Sequence, residues 1–180
     1  MTNLSAVEAL ERLKTGNKNY LVSGAFSGNV SAQIREKTYK NGQHPFAAVV
    51  ACSDSRVIPE AIFGCGIGEL FVIRVAGNIV AETQLGSLEY AAEHLGCRLV
   101  VILGHDDCGA IEAALHGESE GHVGVLTSAI KEAINGETRP ETACLLNVKK
   151  GVEIAANALH GTKVVGAVYH TATGYVDFID

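Results

Sequence analysis

Two short segments of this sequence combine side chains that together could bind a metal ion. The first follows an apolar run and carries Cys52, Asp54 and Arg56 at alternate positions, which in an extended chain would share one face. The second closes another apolar run and places His105 and Cys108 three residues apart. Because two thiolates and one imidazole are a common ligand set for zinc, the candidate metal ligands are Cys52, His105 and Cys108.

The number of ligands in this set bears on its chemistry. Structural zinc sites close with four protein ligands, whereas catalytic sites have three and leave a position for water. Asp54 competes for the fourth position, and a bidentate pair with Arg56 would hold its carboxylate off the metal. Asp54 would then accept a hydrogen bond from zinc-bound hydroxide and orient it toward a small electrophilic carbon. The alternative is that both cysteines are buried apolar residues and that His105 is a core histidine.

Both segments resemble the hallmark of the β-class carbonic anhydrases, in which Cys-x-Asp-x-Arg is followed by Gly-His-x-x-Cys-Gly. The similarity runs from about Gln43 to Asp180. It includes residues 71–78, where Val75 replaces the usual Asn, and the helical segment 87–92. The resemblance implies a zinc lyase with one Zn²⁺ per chain, which reversibly hydrates carbon dioxide to bicarbonate and a proton. It also implies a homodimer or homotetramer.

The same resemblance assigns a substrate pocket. In the plant-like branch of the family a Gln, a Phe and a Tyr line this pocket, and the matching residues here are Gln43, Phe71 and Tyr90. Gly109, the last residue of the second segment, is assigned to it as well. In the family the metal lies near a dimer interface, and residues of the partner complete the pocket. Another branch places its Asp on the zinc and uses a Trp to bind bicarbonate. That position is Val49 here, so the open, water-bearing form is expected.

Two other functions stay open at the level of the residues. One is a hydrolase of carbon disulfide or carbonyl sulfide on the same scaffold. The other is a non-catalytic binding domain stabilised by zinc. The intact pair of Asp54 and Arg56 argues against the binding domain, because a purely structural zinc site does not need that pair.

The composition of the chain favours one globular domain over residues 1–180. Its 180 residues are 47% hydrophobic, which suffices for one sizeable core. A net charge of −6 without a basic cluster argues against nucleic-acid binding. Without an apolar stretch of roughly 18 residues, a membrane protein is not expected, and we expect a cytoplasmic location. The three cysteines not assigned to the metal are expected to be buried free thiols: Cys65, Cys97 and Cys144.

The hydrophobic periodicity predicts an amino-terminal helical arm and an α/β core. A capping box at Ser5 and Glu8 begins a helix that ends at Gly24, and a weaker helix is predicted over 31–40, so that residues 1–42 form the arm. In the family such helices wrap a neighbouring subunit, and packing on the chain's own core is the alternative. From residue 43 to 180 apolar runs alternate with helical segments, which is typical of a mostly parallel sheet flanked by helices.

Four parallel strands and an antiparallel edge strand are predicted for this core. The strands are expected near 46–51, 70–75, 99–103, 163–169 and 175–179, and the helices near 81–95, 109–116, 123–135 and 141–159. Ligands of open parallel sheets bind beyond the carboxyl ends of the strands, so adjacent first and third strands would bring Cys52 and His105 together. Asp106 or Asp107 is expected to cap the helix that follows, with a contact to zinc or to His105 as the alternative.

Overall fold

Five strands form one sheet in the computed structural model, which describes residues 4–117 and 119–179. The strands are β1 (Ala47–Ala51), β2 (Leu70–Arg74), β3 (Leu99–His105), β4 (Lys163–Tyr169) and β5 (Val176–Ile179), and their order across the sheet is β2-β1-β3-β4-β5. Strands β1 to β4 are parallel, and β5 pairs antiparallel with β4 at the edge. The predicted α/β fold with a mostly parallel sheet is confirmed.

Helices lie on both faces of this sheet. They are α1 (Ala6–Ser23), α2 (Ala32–Asn41), α3 (Pro59–Ile62), α4 (Glu82–Glu89), α5 (Gly109–Leu115), α6 (Val123–Ile134) and α7 (Pro140–Ala158). A π-helical turn, Tyr90–His94, continues α4. The short α3 was not predicted, because four residues are too few to show a helical period. Among the described residues, none of these helices combines the length and the apolar character that crossing a membrane requires.

The central strands separate two apolar cores. Ala47, Val49 and Ala51 of β1 pack toward α1 and α3, whereas Ala48 and Val50 pack toward α4 and α7. Every residue of β1 and of β3 is buried. Burial on both faces explains why these strands appear in the sequence as continuous apolar runs rather than as alternating patterns.

The amino-terminal helix α1 packs on the core of its own chain. Its capping box forms as predicted, because the Ser5 hydroxyl accepts from the backbone N–H of Glu8 while the Glu8 carboxylate accepts from that of Ser5. Leu10 and Leu13 enter the core beneath it. Helix α2, in contrast, has no buried residue. Residues 1–3 of the predicted arm lie outside the described residues.

A single buried amide joins α1 to two distant parts of the fold. Asn17 is 3% exposed, and its side-chain nitrogen donates to the carbonyl of Gly174 at 2.9 Å and to that of Ile62 at 3.3 Å. Its side-chain oxygen accepts from the N–H of Val176, the first residue of β5, at 3.1 Å. The edge strand is therefore attached to the amino-terminal helix through this side chain.

Replacing Asn17 tests this attachment. Asn17→Ala leaves three buried backbone groups without their partner, and we expect it to lower the free energy of unfolding by about 3 kcal/mol. Asn19→Ala, an exposed position on the same helix, should change it by no more than about 0.5 kcal/mol. Urea denaturation at one fixed protein concentration measures both values. Equal effects of the two substitutions would contradict the assigned role of Asn17.

Candidate metal centre

The two segments singled out from the sequence meet because β1 and β3 are neighbours. Ala51, the last residue of β1, pairs with Leu103 of β3. Cys52 follows β1 directly, and His105 is the last residue of β3, which runs two residues further than predicted. Cys108 stands at the residue before α5. The expected adjacency of the first and third strands is confirmed, and it places these three side chains at one edge of the sheet.

The three candidate ligands have the spacing that a tetrahedral metal ion requires. The ligand atoms of Cys52, His105 and Cys108 all lie within 4.8 Å of one another, and all three residues are buried. The two sulfurs are 4.0 Å apart, close to the value of about 3.8 Å that two zinc–sulfur bonds of about 2.3 Å impose at a tetrahedral angle. Among the described residues, no carboxylate belongs to this group of donors.

The imidazole of His105 is oriented for ligation. Its Nδ1 lies 2.7 Å from the carbonyl oxygen of Asp106. Since a carbonyl oxygen only accepts, Nδ1 carries the proton and Nε2 keeps a free electron pair. Nε2 is buried without a hydrogen-bond partner, which would be costly unless a metal ion used that electron pair. The ring is therefore fixed in the tautomer that a metal ligand requires.

The sulfur of Cys52 lies among hydrogen-bond donors, next to the sulfur of Cys108. The sulfur of Cys52 accepts from the backbone N–H of Gly77 at 3.3 Å and from that of Asp54 at 3.4 Å. The two thiols share one hydrogen bond in which either sulfur can donate, and this contact is the main cause that lowers the pKa of Cys52. Metal binding demands a thiolate at both positions, and the hydrogen bonds to Cys52 favour that state there.

Arg56 holds both carboxylate oxygens of Asp54. Its Nε donates to Oδ1 at 3.0 Å and its Nη2 donates to Oδ2 at 2.8 Å. These bonds keep the pKa of Asp54 well below its usual range. Oδ2 lies 4.0 Å from Nε2 of His105, so the carboxylate stands beside the donor group without joining it. A third bond, from Nη2 to the carbonyl of Asp107 at 2.9 Å, fixes the guanidinium against the second segment.

The path by which Arg56 reaches Asp54 differs from the prediction. Strand β1 ends at Ala51, and a turn follows in which the N–H of Val57 donates to the carbonyl of Asp54 at 3.0 Å. The expectation that strand alternation places Cys52, Asp54 and Arg56 on one face is therefore wrong. A turn brings Arg56 back toward the carboxylate, and its own N–H also donates to Oδ1 at 2.9 Å.

Arg74 supports the first segment from the neighbouring strand. It pairs with Ala51 in the register of β1 and β2, and its guanidinium donates to the carbonyls of Cys52 at 3.1 Å and Asp54 at 2.6 Å. Sequence reasoning did not find this contact. The available signal was the position of Arg74 at the end of an apolar run, but the partners of a side chain across a sheet are not visible in the sequence.

The predicted capping role of the two aspartates is wrong. The residue that precedes α5, at the capping position, is Cys108 and not an aspartate, and it makes no side-chain capping bond. Asp106 instead accepts from the N–H and hydroxyl of Thr171, at 2.9 and 2.6 Å, and lies 3.3 Å from Nδ1 of His170. Asp107 has a φ of 49°, which turns its carbonyl toward Arg56. The alternative contact with His105 exists through the carbonyl of Asp106.

The residues assigned to the substrate pocket fall into two groups. Gly109 begins α5 beside Cys108 and is exposed. Phe71 and Tyr90 lie together, with ring centres 6.1 Å apart, but Phe71 pairs with Ala48. Ala48 lies four residues before Cys52, which is a distance of about 13 Å along the strand.

Gln43 lies further from the metal centre of its own chain. It is exposed and precedes β1 at the opposite end of the strand from Cys52. Within one chain, therefore, Gln43, Phe71 and Tyr90 do not line the space around the metal ligands.

The three remaining cysteines are buried free thiols, as predicted. Burial is the main cause that raises the pKa of Cys65 to about 12 and the pKa of both Cys97 and Cys144 to about 11. At neutral pH these thiols stay protonated.

Comparisons with known proteins agree with this geometry. The carbonic anhydrase family profile matches residues 47–176. A carbonic anhydrase of Mycolicibacterium smegmatis is 32% identical over 197 residues, covering 98% of this chain and 95% of that protein. The structure of the beta-carbonic anhydrase CcaA is similar with a TM-score of 0.72 at 25% identity, covering 96% of this chain and 88% of that one. A tetrameric beta-carbonic anhydrase from Sordaria macrospora gives 0.67 at 26% identity, covering 82% and 91%.

Metal analysis of two cysteine variants tests the ligand set. Cys52→Ser removes one of three ligands, and we expect the zinc content of the purified protein to fall from about one ion per chain to near zero. Cys97→Ser changes a buried thiol that lies outside the donor group and should keep the wild-type content. Zinc retained by the Cys52 variant would show that this residue is not a ligand.

Proposed function

The chain belongs to the β-class carbonic anhydrases, and from that membership we propose that its Cys52, His105 and Cys108 hold the zinc ion of a carbon dioxide hydratase. The observation that carries this assignment is the unpartnered Nε2 of His105, buried within 4.8 Å of two sulfurs. Zinc in such a set lowers the pKa of a coordinated water toward neutrality and so supplies the nucleophile for carbon dioxide. The reaction is reversible and yields bicarbonate and a proton.

Asp54 positions the nucleophilic oxygen and is not itself a ligand. Its pKa is held low by Arg56, so the carboxylate is ionised throughout the neutral range and acts only as a hydrogen-bond acceptor. The two bonds from Arg56 hold it beside the metal centre, 4.0 Å from Nε2 of His105. A fixed acceptor at this place removes the orientational freedom of the attacking group. We infer that the open form of the site is the working form near neutral pH.

A partner subunit completes the substrate pocket in this proposal. Phe71 and Tyr90 form an apolar pair with Tyr90 46% exposed, and Gln43 presents an exposed amide at the same end of the sheet. An apolar wall with one amide donor suits a linear, nonpolar substrate whose oxygen becomes anionic during attack. Because these groups are remote from the metal centre of their own chain, they act on the metal centre of a second copy. A homodimer is the smallest assembly with complete sites.

The cellular location of the enzyme follows from the redox state that its cysteine ligands require. Two thiols that bind zinc must remain reduced, and reduced thiols persist in the cytoplasm. We therefore assign the enzyme to the cytoplasm. No observation favours the sulfur-compound hydrolase considered above, and the membership in the carbonic anhydrases removes the reason to keep a non-catalytic zinc domain.

Asp54→Asn tests the assigned role of this carboxylate. The neutral amide loses the charge that pairs with Arg56 and accepts a hydrogen bond less strongly. We expect the variant to keep its zinc and to lose between about 10²- and 10⁴-fold in kcat for carbon dioxide hydration, measured by stopped flow. Asp177→Asn, at an exposed carboxylate on β5, should behave like the wild type. Near-normal kcat in the Asp54 variant would refute the role.

Mixing two inactive variants tests the shared pocket. Cys52→Ser lacks the metal but keeps Gln43, whereas Gln43→Ala keeps the metal and should lose about 100-fold in kcat/KM. In a mixed dimer, one site combines the intact metal ligands of the Gln43→Ala subunit with the intact Gln43 of the Cys52→Ser subunit. Random pairing makes about half of the dimers mixed, so co-refolding should restore about a quarter of the wild-type activity. A mixture no more active than the sum of its parts would show that Gln43 serves its own chain.

A further inference from the structure

Helix α7 lies unusually close to the strand that carries His105. A Cβ added to Gly104 would stand 2.5 Å from Cγ2 of Val148 and 3.1 Å from Sγ of Cys144. Only glycine at this strand position therefore lets the helix approach so closely. The close approach brings two polar side chains of α7, Cys144 and Asn147, within reach of backbone groups next to the metal ligands.

These two side chains stand three residues apart and so share one face of α7. The thiol of Cys144 donates to the carbonyl of His105 at 3.2 Å, and the side-chain nitrogen of Asn147 donates to the carbonyl of Gly77 at 2.8 Å. Burial keeps Cys144 protonated by raising its pKa to about 11. One helix thus contacts both segments that surround the candidate metal ion.

The bond from Asn147 has the more direct effect, because Gly77 itself contacts a ligand. The N–H of Gly77 donates to the sulfur of Cys52 at 3.3 Å, and its carbonyl accepts from Asn147. Gly77 has a φ of 70°, and a Cβ on it would lie 2.7 Å from Cδ1 of Ile130. Gly77 is therefore hydrogen-bonded through both its N–H and its carbonyl, in a conformation that other residues rarely adopt.

We propose that Asn147 is a positioning residue of the metal centre, which holds Gly77 so that its N–H stays directed at the Cys52 sulfur. This inference rests on the proposed zinc function. Asn147 is 5% exposed, so its side-chain amide gives up hydrogen bonds to water on folding and makes this one instead. A hydrogen bond to a ligand sulfur reduces the electron density that the sulfur gives to the metal, and it fixes the sulfur in place. Loss of Asn147 should loosen the ligand and weaken metal binding.

The test compares Asn147→Ala with Asn157→Ala, an exposed asparagine on the same helix. Zinc affinity is measured by competition with a chromogenic chelator, and the Co²⁺-substituted proteins give the sulfur-to-cobalt charge-transfer band. We expect the dissociation constant for zinc to rise about 10-fold in the Asn147 variant. The band should move to longer wavelength, since a sulfur without its hydrogen bond gives up electron density more easily. The Asn157 variant should match the wild type in both readouts.

If Asn147→Ala does not fold, Asn147→Leu gives the same comparison, because its side chain has the same branched arrangement of four heavy atoms as asparagine but no donor. An unchanged charge-transfer band in a folded Asn147 variant overturns the inference, even if the variant is less stable, because a purely structural role would leave the sulfur untouched. A wild-type protein that binds neither zinc nor Co²⁺ would overturn the proposed function itself. The two failures are therefore distinguishable.

Discussion

The parallel pairing of β1 with β3 is the constraint on which the rest of the site depends. It places the residue after one strand and the last residue of the other at a single edge of the sheet, fifty-three residues apart in sequence. Both strands are buried on their two faces, so the positions of Cys52 and His105 are set by core packing and not by mobile loops. Such packing holds Cys52 and His105 in fixed positions relative to each other, which favours the binding of a metal ion between them.

Backbone N–H groups and an arginine side chain offset the negative charge of the two cysteine ligands. Two thiolates give a metal more negative charge than two imidazoles would, which weakens the metal as a Lewis acid. The N–H groups of Asp54 and Gly77 offset part of this charge at Cys52. Arg56 holds both oxygens of the neighbouring Asp54 carboxylate, and in the proposed function this keeps Asp54 from becoming a further anionic ligand. The surroundings of the metal therefore decide its reactivity as much as the three ligands do.

The residues of the proposed site are divided between the two ends of the sheet. The metal ligands lie beyond the carboxyl ends of β1 and β3, whereas Phe71, Tyr90 and Gln43 lie toward the amino ends. A strand of five residues spans about 16 Å, and a small substrate cannot bridge that distance within one chain. In the proposed function this division requires an oligomer, because only a second copy would bring the apolar wall to the metal.

The sequence by itself determined the candidate ligands, the carboxylate beside them and the alternation of apolar strands with helices. Cys52, Asp54 and Arg56 are neighbours in the chain, so their association needs only local geometry, although a turn and not a strand produces it. Tertiary structure alone decided the contacts of Arg74, Asp106 and Asn147. Their partners lie 20 to 70 residues away in sequence and include backbone carbonyls. Because every residue type has a backbone carbonyl, the sequence does not reveal which carbonyl a distant side chain will bind.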